Sequence, residues 1–140
     1  MNKKMKIMLD KGAIMPIRAH VTDAGIDLMT PVDFFVPAHG YAFVDTGLHV
    51  QLPPNTRGHV CSKSGLNKNH GITTDGTIDE GYTGSIGVTL HNDNNLPYMF
   101  KAGQKIAQLV VEPILRPELV LAQSLDESER GENGFGSTGE

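Results

Sequence analysis

The pattern of apolar and polar positions along the chain predicts a protein built almost entirely from short β-strands. The clearest example is the run from 85 to 91, where apolar residues alternate with smaller or polar ones. Strict alternation puts one side of a strand in a core and the other side toward solvent. We therefore predict a half-buried strand whose buried face carries Ile86, Val88 and Leu90.

Residues 48–52 alternate in the same way, and other short apolar segments are separated by turns that contain glycine and proline. We predict further strands at 5–9, 33–36, 41–44, 48–52, 58–61 and 105–111, and a last strand at 118–122. Residues 64–69 are expected to form a helical turn or two, and the glycine-rich stretch 76–84 is expected to be a turn at one end of a sheet. Strands spaced roughly every ten residues are typical of an all-β sandwich, jelly roll or barrel.

Composition narrows the classes of function. A length of 140 residues suits one domain with its own core. The net charge of −4 leaves no basic surplus, which argues against a role in coating nucleic acid, because that role needs many lysines and arginines. Cys61 is the only cysteine, so no disulfide forms within the chain, and we interpret Cys61 as a packed residue.

No apolar stretch approaches the ~18 residues of a membrane span, and Lys6 interrupts the apolar residues of the basic N-terminus. We expect a cytoplasmic protein with no membrane partner and no direct nucleic-acid partner. The six histidines show no zinc-site spacing. No nucleophile elbow is present either, which argues against a covalent nucleophile.

Two carboxylate segments are candidates for chemistry. Asp79 and Tyr82 lie inside the glycine-rich stretch 76–84, where a turn would hold them in place, although both residue types are also ordinary in hairpins. Asp23 and Asp27 are close enough to serve a hard cation such as magnesium, although Asp-Ala-Gly is also common turn material.

Two further segments could bind phosphate. The turn at 62–66 combines hydroxyls, glycine and Lys63, which can meet a phosphate through backbone N–H groups and a cation. The tail after Asp126 is rich in glycine and contains two phosphate-loop patterns, but neither has the following helix that such loops need. The tail is either a flexible linker or a segment that folds around a polyphosphate. Arg130 and Phe135 favour the second interpretation, because flexible linkers rarely need either residue.

Taken together, these segments resemble the five ordered motifs of the homotrimeric dUTPase family. The matching segments are 23–28, 62–65, 76–84, 105–109 and 130–139. The resemblance runs from about residue 5 to residue 139. It implies an all-β, distorted jelly-roll or β-clip domain at 1–125 and a flexible glycine-rich tail at 126–140 that closes an active site of the trimer.

The resemblance also implies an enzyme that hydrolyses dUTP to dUMP and pyrophosphate with magnesium, which limits uracil in DNA and supplies dUMP. Asp79 would deprotonate the attacking water, and Asp27 would hold a water on the magnesium ion. The resemblance assigns further residues to substrate binding: Lys63, Ser64, Gly65 and Gln108 at the phosphates, Tyr82 under the deoxyribose, Phe135 over the uracil, and Arg130, Ser137 and Thr138 at the γ-phosphate. It also assigns Gly76, Ile78 and Gly136 to substrate binding, without a more specific role.

The chain departs from the family pattern at three positions. Lys63 and Lys105 each replace a common arginine, and Asn133 replaces a glycine. A lysine at 63 offers a point charge in place of a planar fork, so we expect weaker positioning of the phosphate. We expect Lys105 to have a structural effect only.

Two alternative functions stay open at this point. A dCTP deaminase shares the fold but needs a catalytic glutamate, and strand-like alternation would point Glu80 away from the site. A regulatory protein could grip dUTP and a protein partner without turnover, although the presence of Asp79 argues against that as its sole role.

Overall fold

The computed structural model describes residues 4–139 as a β-protein with one short helix. The elements are β1 (Lys6–Leu9), β2 (Gly25–Met29), β3 (Phe34–Val36), β4 (Tyr41–Asp45), β5 (Leu48–Gln51), β6 (Thr56–Cys61), α1 (Ser64–His70), β7 (Ile72–Thr73), β8 (Asp75–Ile78), β9 (Gly87–Asn92), β10 (Tyr98–Phe100) and β11 (Lys105–Pro113). The prediction of an all-β protein is confirmed.

All strand pairs are antiparallel. One sheet has four strands in the order β2-β11-β6-β8, a second has three in the order β4-β9-β7, and β1-β5 and β3-β10 form two further pairs. One hydrophobic core joins them, with Leu28, Val60 and Leu109 from the four-stranded sheet and Val88 and Leu90 from the three-stranded sheet. Burial of each such side chain contributes about 1.5–3 kcal/mol, so the core fixes the relative position of the strands.

The predicted alternation in 85–91 is confirmed. Ile86, Val88 and Leu90 are all fully buried, with at most 1% of their surface exposed. The hydrogen-bonded strand β9 begins at Gly87, and the Ile86 N–H just before it donates to the Leu48 carbonyl at 2.8 Å.

The prediction of a turn over 76–84 is wrong for its first part. Gly76 and Ile78 belong to β8, which pairs with β6 through Gly76↔Val60 and Gly58↔Ile78. Glycine has low β-propensity, but pairing with a neighbouring strand overrides it. The turn begins at Asp79, whose carbonyl accepts the N–H of Tyr82 at 3.0 Å.

The prediction of a last strand at 118–122 is also wrong within this chain. Every residue from 115 to 139 is exposed, and Leu119 and Leu121 expose 92% and 101% of their surfaces. The segment has a short apolar run that a strand could bury, but no other strand of the described chain lies beside it. A strand needs such a neighbour for its backbone hydrogen bonds.

The predicted helical turn at 64–69 is confirmed as α1, a helix of seven residues. It ends at His70 and is capped by Gly71, whose φ of 65° is the left-handed conformation that glycine adopts readily at helix C-termini. Among residues 4–139, no helix has the length and apolar character needed to cross a membrane.

Candidate active site

The structure places the predicted site residues in three separate groups. The first, the Asp79 pocket, is an open pocket of about 300 Å³ between the end of β8 and the start of β9. Its lining residues are Phe43, Thr77, Ile78, Asp79, Tyr82, Ser85 and Gly87. Ile78, Asp79 and Tyr82 were predicted from the sequence as site residues, whereas Phe43, Ser85 and Gly87 were not.

The ring of Tyr82 is fixed across the turn that carries Asp79. Its hydroxyl donates to the Ser85 carbonyl at 2.8 Å. A Cβ added to Gly84 would lie 2.6 Å from Tyr82 Cζ, so only glycine leaves room for the ring at this point. Tyr82 therefore presents an ordered aromatic surface to the pocket.

Ser85 is held at the pocket wall by a carboxylate. Its hydroxyl donates to Asp45 Oδ1, and the same oxygen accepts the Gly47 N–H at 2.9 Å. The hydrogen bond from Ser85, followed by that from Gly47, lowers the pKa of Asp45. Asp45 therefore remains an acceptor at neutral pH and keeps Ser85 in one orientation.

His49 anchors the turn from the other side. Its Nδ1 lies 2.8 Å from the Thr83 carbonyl oxygen, and its Nε2 lies 3.0 Å from Asp10 Oδ1. Both partners are acceptors, so both contacts are satisfied only when the ring is protonated. The hydrogen bond to Thr83, followed by that to Asp10, raises the pKa of His49.

We predict that His49→Gln lowers the free energy of unfolding relative to the wild type, and that the loss is larger at acidic pH than at alkaline pH. A raised folded pKa gives a stabilisation that is complete below the unfolded pKa of about 6.5 and disappears as pH rises through the folded pKa. Thermal unfolding at several pH values between 5.5 and 8.5 would measure the difference. His20→Gln is the matched control, since His20 lies on an exposed turn away from the pocket. If the loss of stability in His49→Gln were the same at every pH, the raised pKa of His49 would be contradicted.

The carboxylate of Glu80 is occupied outside the Asp79 pocket. It accepts a hydrogen bond from Arg116 Nη2 at 2.6 Å and another from the Asn55 N–H at 3.2 Å. The hydrogen bond from Arg116 is the largest cause of its lowered pKa. Glu80 therefore joins the turn to the start of the C-terminal segment and is not available as a site acid.

The second group, the Asp27 cluster, consists of Asp27, Lys63, Ser64, Gly65, Lys105 and Gln108. Lys63 Nζ lies 2.5 Å from Asp27 Oδ1, and Lys105 Nζ lies 2.9 Å from Asp27 Oδ2. Burial raises the pKa of Asp27, but hydrogen bonds and charge from Lys63 and Lys105 outweigh it, so the pKa lies below its usual value. Both positions at which the chain departs from the family arginines thus meet on one carboxylate.

Gln108 connects this carboxylate to the turn before α1. It lies opposite Asp27 in the β2–β11 register, and its Nε2 donates to the Ser62 carbonyl at 3.0 Å. A Cβ on Gly25 would lie 2.5 Å from Gln108 Oε1, so only glycine at position 25 leaves room for the side-chain amide of Gln108. Ser64 and Gly65 are exposed and begin α1, so their backbone N–H groups have no acceptor within the helix.

The third group lies in the tail, where Arg130, Ser137 and Thr138 line one shallow pocket. Arg130 Nε donates to the Asn133 carbonyl at 2.8 Å, and Gly136 has a φ of 78°. Phe135 is completely exposed. The tail therefore gathers its hydroxyls and its cation, but it does not bring them to the other two groups.

The groups are well separated within one chain. β2, which carries Asp27, and β8, which leads to Asp79, are the two opposite edges of the four-stranded sheet. Three inter-strand spacings of ~4.8 Å put these edges about 14 Å apart. A single chain thus presents parts of a site rather than one closed site.

A metal site built from three or more protein side chains and a cysteine nucleophile both lack support in the described residues. Among the described residues, no three histidine, cysteine, aspartate or glutamate side chains are grouped so as to hold a metal ion. Cys61 is half-buried, and burial, followed by the charges of Glu112 and Asp75, raises the pKa of its thiol. A thiol with a raised pKa is a poor nucleophile at neutral pH.

Comparison with known proteins gives consistent results. A family model described as dUTPase matches residues 11–139. The chain is 42% identical to the deoxyuridine 5'-triphosphate nucleotidohydrolase of Gloeothece citriformis, with 97% of each chain covered. It is 44% identical to the protein of the same name from Clostridium kluyveri, with 94% of each covered.

Solved structures show the same fold. The dUTPase of Staphylococcus bacteriophage 80alpha with dUPNHPP superposes with a TM-score of 0.92 at 31% identity, covering 99% of each chain. A mutant dUTPase from phage phi11 of S. aureus, described with a structural Mg(II) ion, superposes with a TM-score of 0.81 at 27% identity, covering 87% of this chain and 98% of that one.

Proposed function

The chain belongs to the dUTPase family and hydrolyses dUTP to dUMP and pyrophosphate, and we propose that Asp79 is the general base of this reaction. The observation that supports the proposal is the position of Asp79. It is the exposed carboxylate of a pocket that also contains the fixed ring of Tyr82 and the backbone of β8.

Asp79 would orient a water and accept its proton as the water oxygen attacks the α-phosphorus. The bond between the α-phosphorus and the bridging oxygen then breaks, and pyrophosphate leaves. The hydrogen bond from the Tyr82 N–H to the Asp79 carbonyl and the contacts of Ser85 and His49 hold the turn that carries Asp79 in one place. A base that is already positioned loses little entropy when the reaction begins.

The exposed edge of β8 is suited to reading uracil. β8 pairs with β6 on one side and has no strand on its other side among the described residues, so N–H and C=O groups near Gly76 and Ile78 are free. Such groups can pair with uracil O4 and N3–H. Cytosine reverses this donor and acceptor pattern and would leave groups unpaired, and the 5-methyl of thymine would be excluded by shape.

The Asp27 cluster fits the phosphate end of the substrate and a magnesium ion held through water. Each Asp27 oxygen already accepts a lysine ammonium, but each keeps a second lone pair for a water. Magnesium usually binds through phosphate oxygens and waters with few protein ligands, which suits a lone carboxylate. When bound, magnesium neutralises charge on the phosphates. Lys63, the N–H groups of Ser64 and Gly65, and the amide of Gln108 would hold the phosphates.

We further propose that the active protein is a homotrimer with shared sites. The Asp79 pocket of one chain would meet the Asp27 cluster of a second, and residues 126–140 of a chain would close a site, with Arg130, Ser137 and Thr138 on the γ-phosphate and Phe135 over the uracil. The separation of the groups supports this arrangement. The exposed Leu119 and Leu121 support it as well, because such side chains are normally covered.

Pyrophosphate release from dUTP, dCTP, dTTP and UTP, with magnesium present, tests the function. We expect rapid release from dUTP and release at least about 10²-fold slower from the other three. Cytosine would leave hydrogen-bonding groups unpaired, whereas the 5-methyl of dTTP and the 2′-hydroxyl of UTP would be excluded by shape. Ammonia released from dCTP would instead indicate a deaminase. Binding of dUTP without turnover would indicate a regulatory protein.

A further inference from the structure

Two glycines of the segment 84–87 each lie beneath an aromatic ring. Tyr82 covers Gly84, and Phe43, which reaches across from β4, covers Gly87 so closely that an added Cβ would overlap Cε2 and Cζ of its ring. Neither glycine has a positive φ, so alanine at either position would conflict with the ring and not with the backbone. The two rings therefore pack against the backbone of the same segment, and both side chains line the Asp79 pocket.

Phe43 does not belong to the hydrophobic core. Its neighbour Val44 points inward and is buried, whereas Phe43 leaves 66% of its surface exposed. The Cε2–Cζ edge of the ring packs on Gly87, and the side chain lines the pocket together with Asp79 and Tyr82. An exposed aromatic ring that is fixed beside a pocket is a typical contact surface for a ligand.

We propose that Phe43, seated on Gly87, contacts the nucleoside of dUTP as a second aromatic wall of the Asp79 pocket. This proposal rests on the proposed function of that pocket. A phenyl ring has no donor for a phosphate, and the described residues that line the Asp79 pocket include no lysine or arginine. The ring is therefore matched to the uncharged sugar and base, and Tyr82 and Phe43 would hold the nucleoside between them.

Replacing Phe43 with alanine should raise the KM for dUTP about five- to tenfold, as expected for loss of one aromatic contact, and should leave kcat within about twofold. Phe43→Tyr keeps the ring and should have a KM near that of the wild type. Gly87→Ala keeps Phe43 but displaces its ring, so its KM should rise as well. Steady-state pyrophosphate release and thermal unfolding would be measured for each variant.

Phe35→Ala is the matched control, because Phe35 is a similarly exposed phenylalanine on β3, outside the pocket. Its activity also shows that the enzyme hydrolyses dUTP, so failure of the proposed function is separate from failure of this proposal. Phe43 could merely shield the glycine on the sheet surface. A Phe43→Ala variant that unfolds at a lower temperature but keeps the wild-type KM would overturn the proposal.

A second variant that keeps apolar bulk at position 43 tests the proposal even if Phe43→Ala misfolds. Phe43→Leu covers Gly87 without supplying a planar ring. A raised KM in Phe43→Leu, with an unfolding temperature near that of the wild type, supports the nucleoside contact. An unchanged KM in this variant overturns it.

Discussion

Replacing Asp79 with asparagine is expected to lower kcat for dUTP by about 10³-fold, within the range that a positioned general base contributes. Asparagine keeps the shape of the side chain but accepts a proton very poorly. The substitution removes no group from β8 or from the rings of the pocket, so dUTP binding should persist. Pyrophosphate release in a single turnover would measure the rate, and titration with the nonhydrolysable analogue dUpNHpp would measure binding.

The chain supplies a matched control for this substitution. Asp75 is exposed and begins β8, three pairing positions before Ile78. Its Oδ1 lies 2.6 Å from His59 Nε2, outside the pocket. Asp75→Asn makes the same chemical change on the same strand and should keep nearly all activity. If Asp79→Asn retained a kcat within about tenfold of the wild type, Asp79 would not be the base. If it lost binding as well as turnover, the carboxylate would act mainly in positioning the substrate.

Strands were predictable where burial is one-sided. Ile86, Val88 and Leu90 alternate because one face of β9 meets the core, and a pattern of period two records that directly. The pattern does not predict β2, β7 or β10. In β2, Asp27 is buried between two lysines, and Leu28 faces the core, so the polar residue does not mark the solvent side.

The two wrong assignments have a common cause, since a strand depends on its neighbour as well as on its own residues. The Asp-Gly-Thr-Ile sequence of β8 favours a turn, but β6 lies beside it and supplies hydrogen bonds. Residues 118–122 contain a short apolar run that suggests a buried strand, but they have no neighbouring strand within the described chain. Local pattern contains no information about which chain provides a partner.

The site was predictable from motifs only in part. The resemblance identified Asp79, Tyr82 and Asp27, but it did not show that Lys63 and Lys105 share the Asp27 carboxylate. That contact depends on the register of β2 with β11 and on the path of the turn after β6. Phe43 was missed because it reaches the pocket through the β4–β9 pairing, and no motif around it distinguishes it from an ordinary exposed strand residue.

Removing residues 126–140 is expected to lower kcat/KM for dUTP by at least about 10²-fold, because contacts remote from the reacting atoms supply binding energy used in the transition state. The proposal of shared sites makes a sharper prediction for mixtures. A full-length chain with Asp79→Asn has a tail but no base, and a truncated chain has Asp79 but no tail. Each should be inactive alone.

When the two chains are co-expressed with different tags and purified as mixed trimers, activity should return. If Asp79 and the tail at each site come from two different chains, one of the three sites of every mixed trimer receives both, so activity should reach about a third of the wild-type value. A chain that carries both changes, mixed with the truncated chain, is the control and should stay inactive, since no tail is then present. Were the tail to close the site of its own chain, no mixture of the two variants could recover activity, because every chain would lack either its base or its tail. The same proteins therefore test the division at residue 126, the sharing of sites and the role of Asp79 against one another.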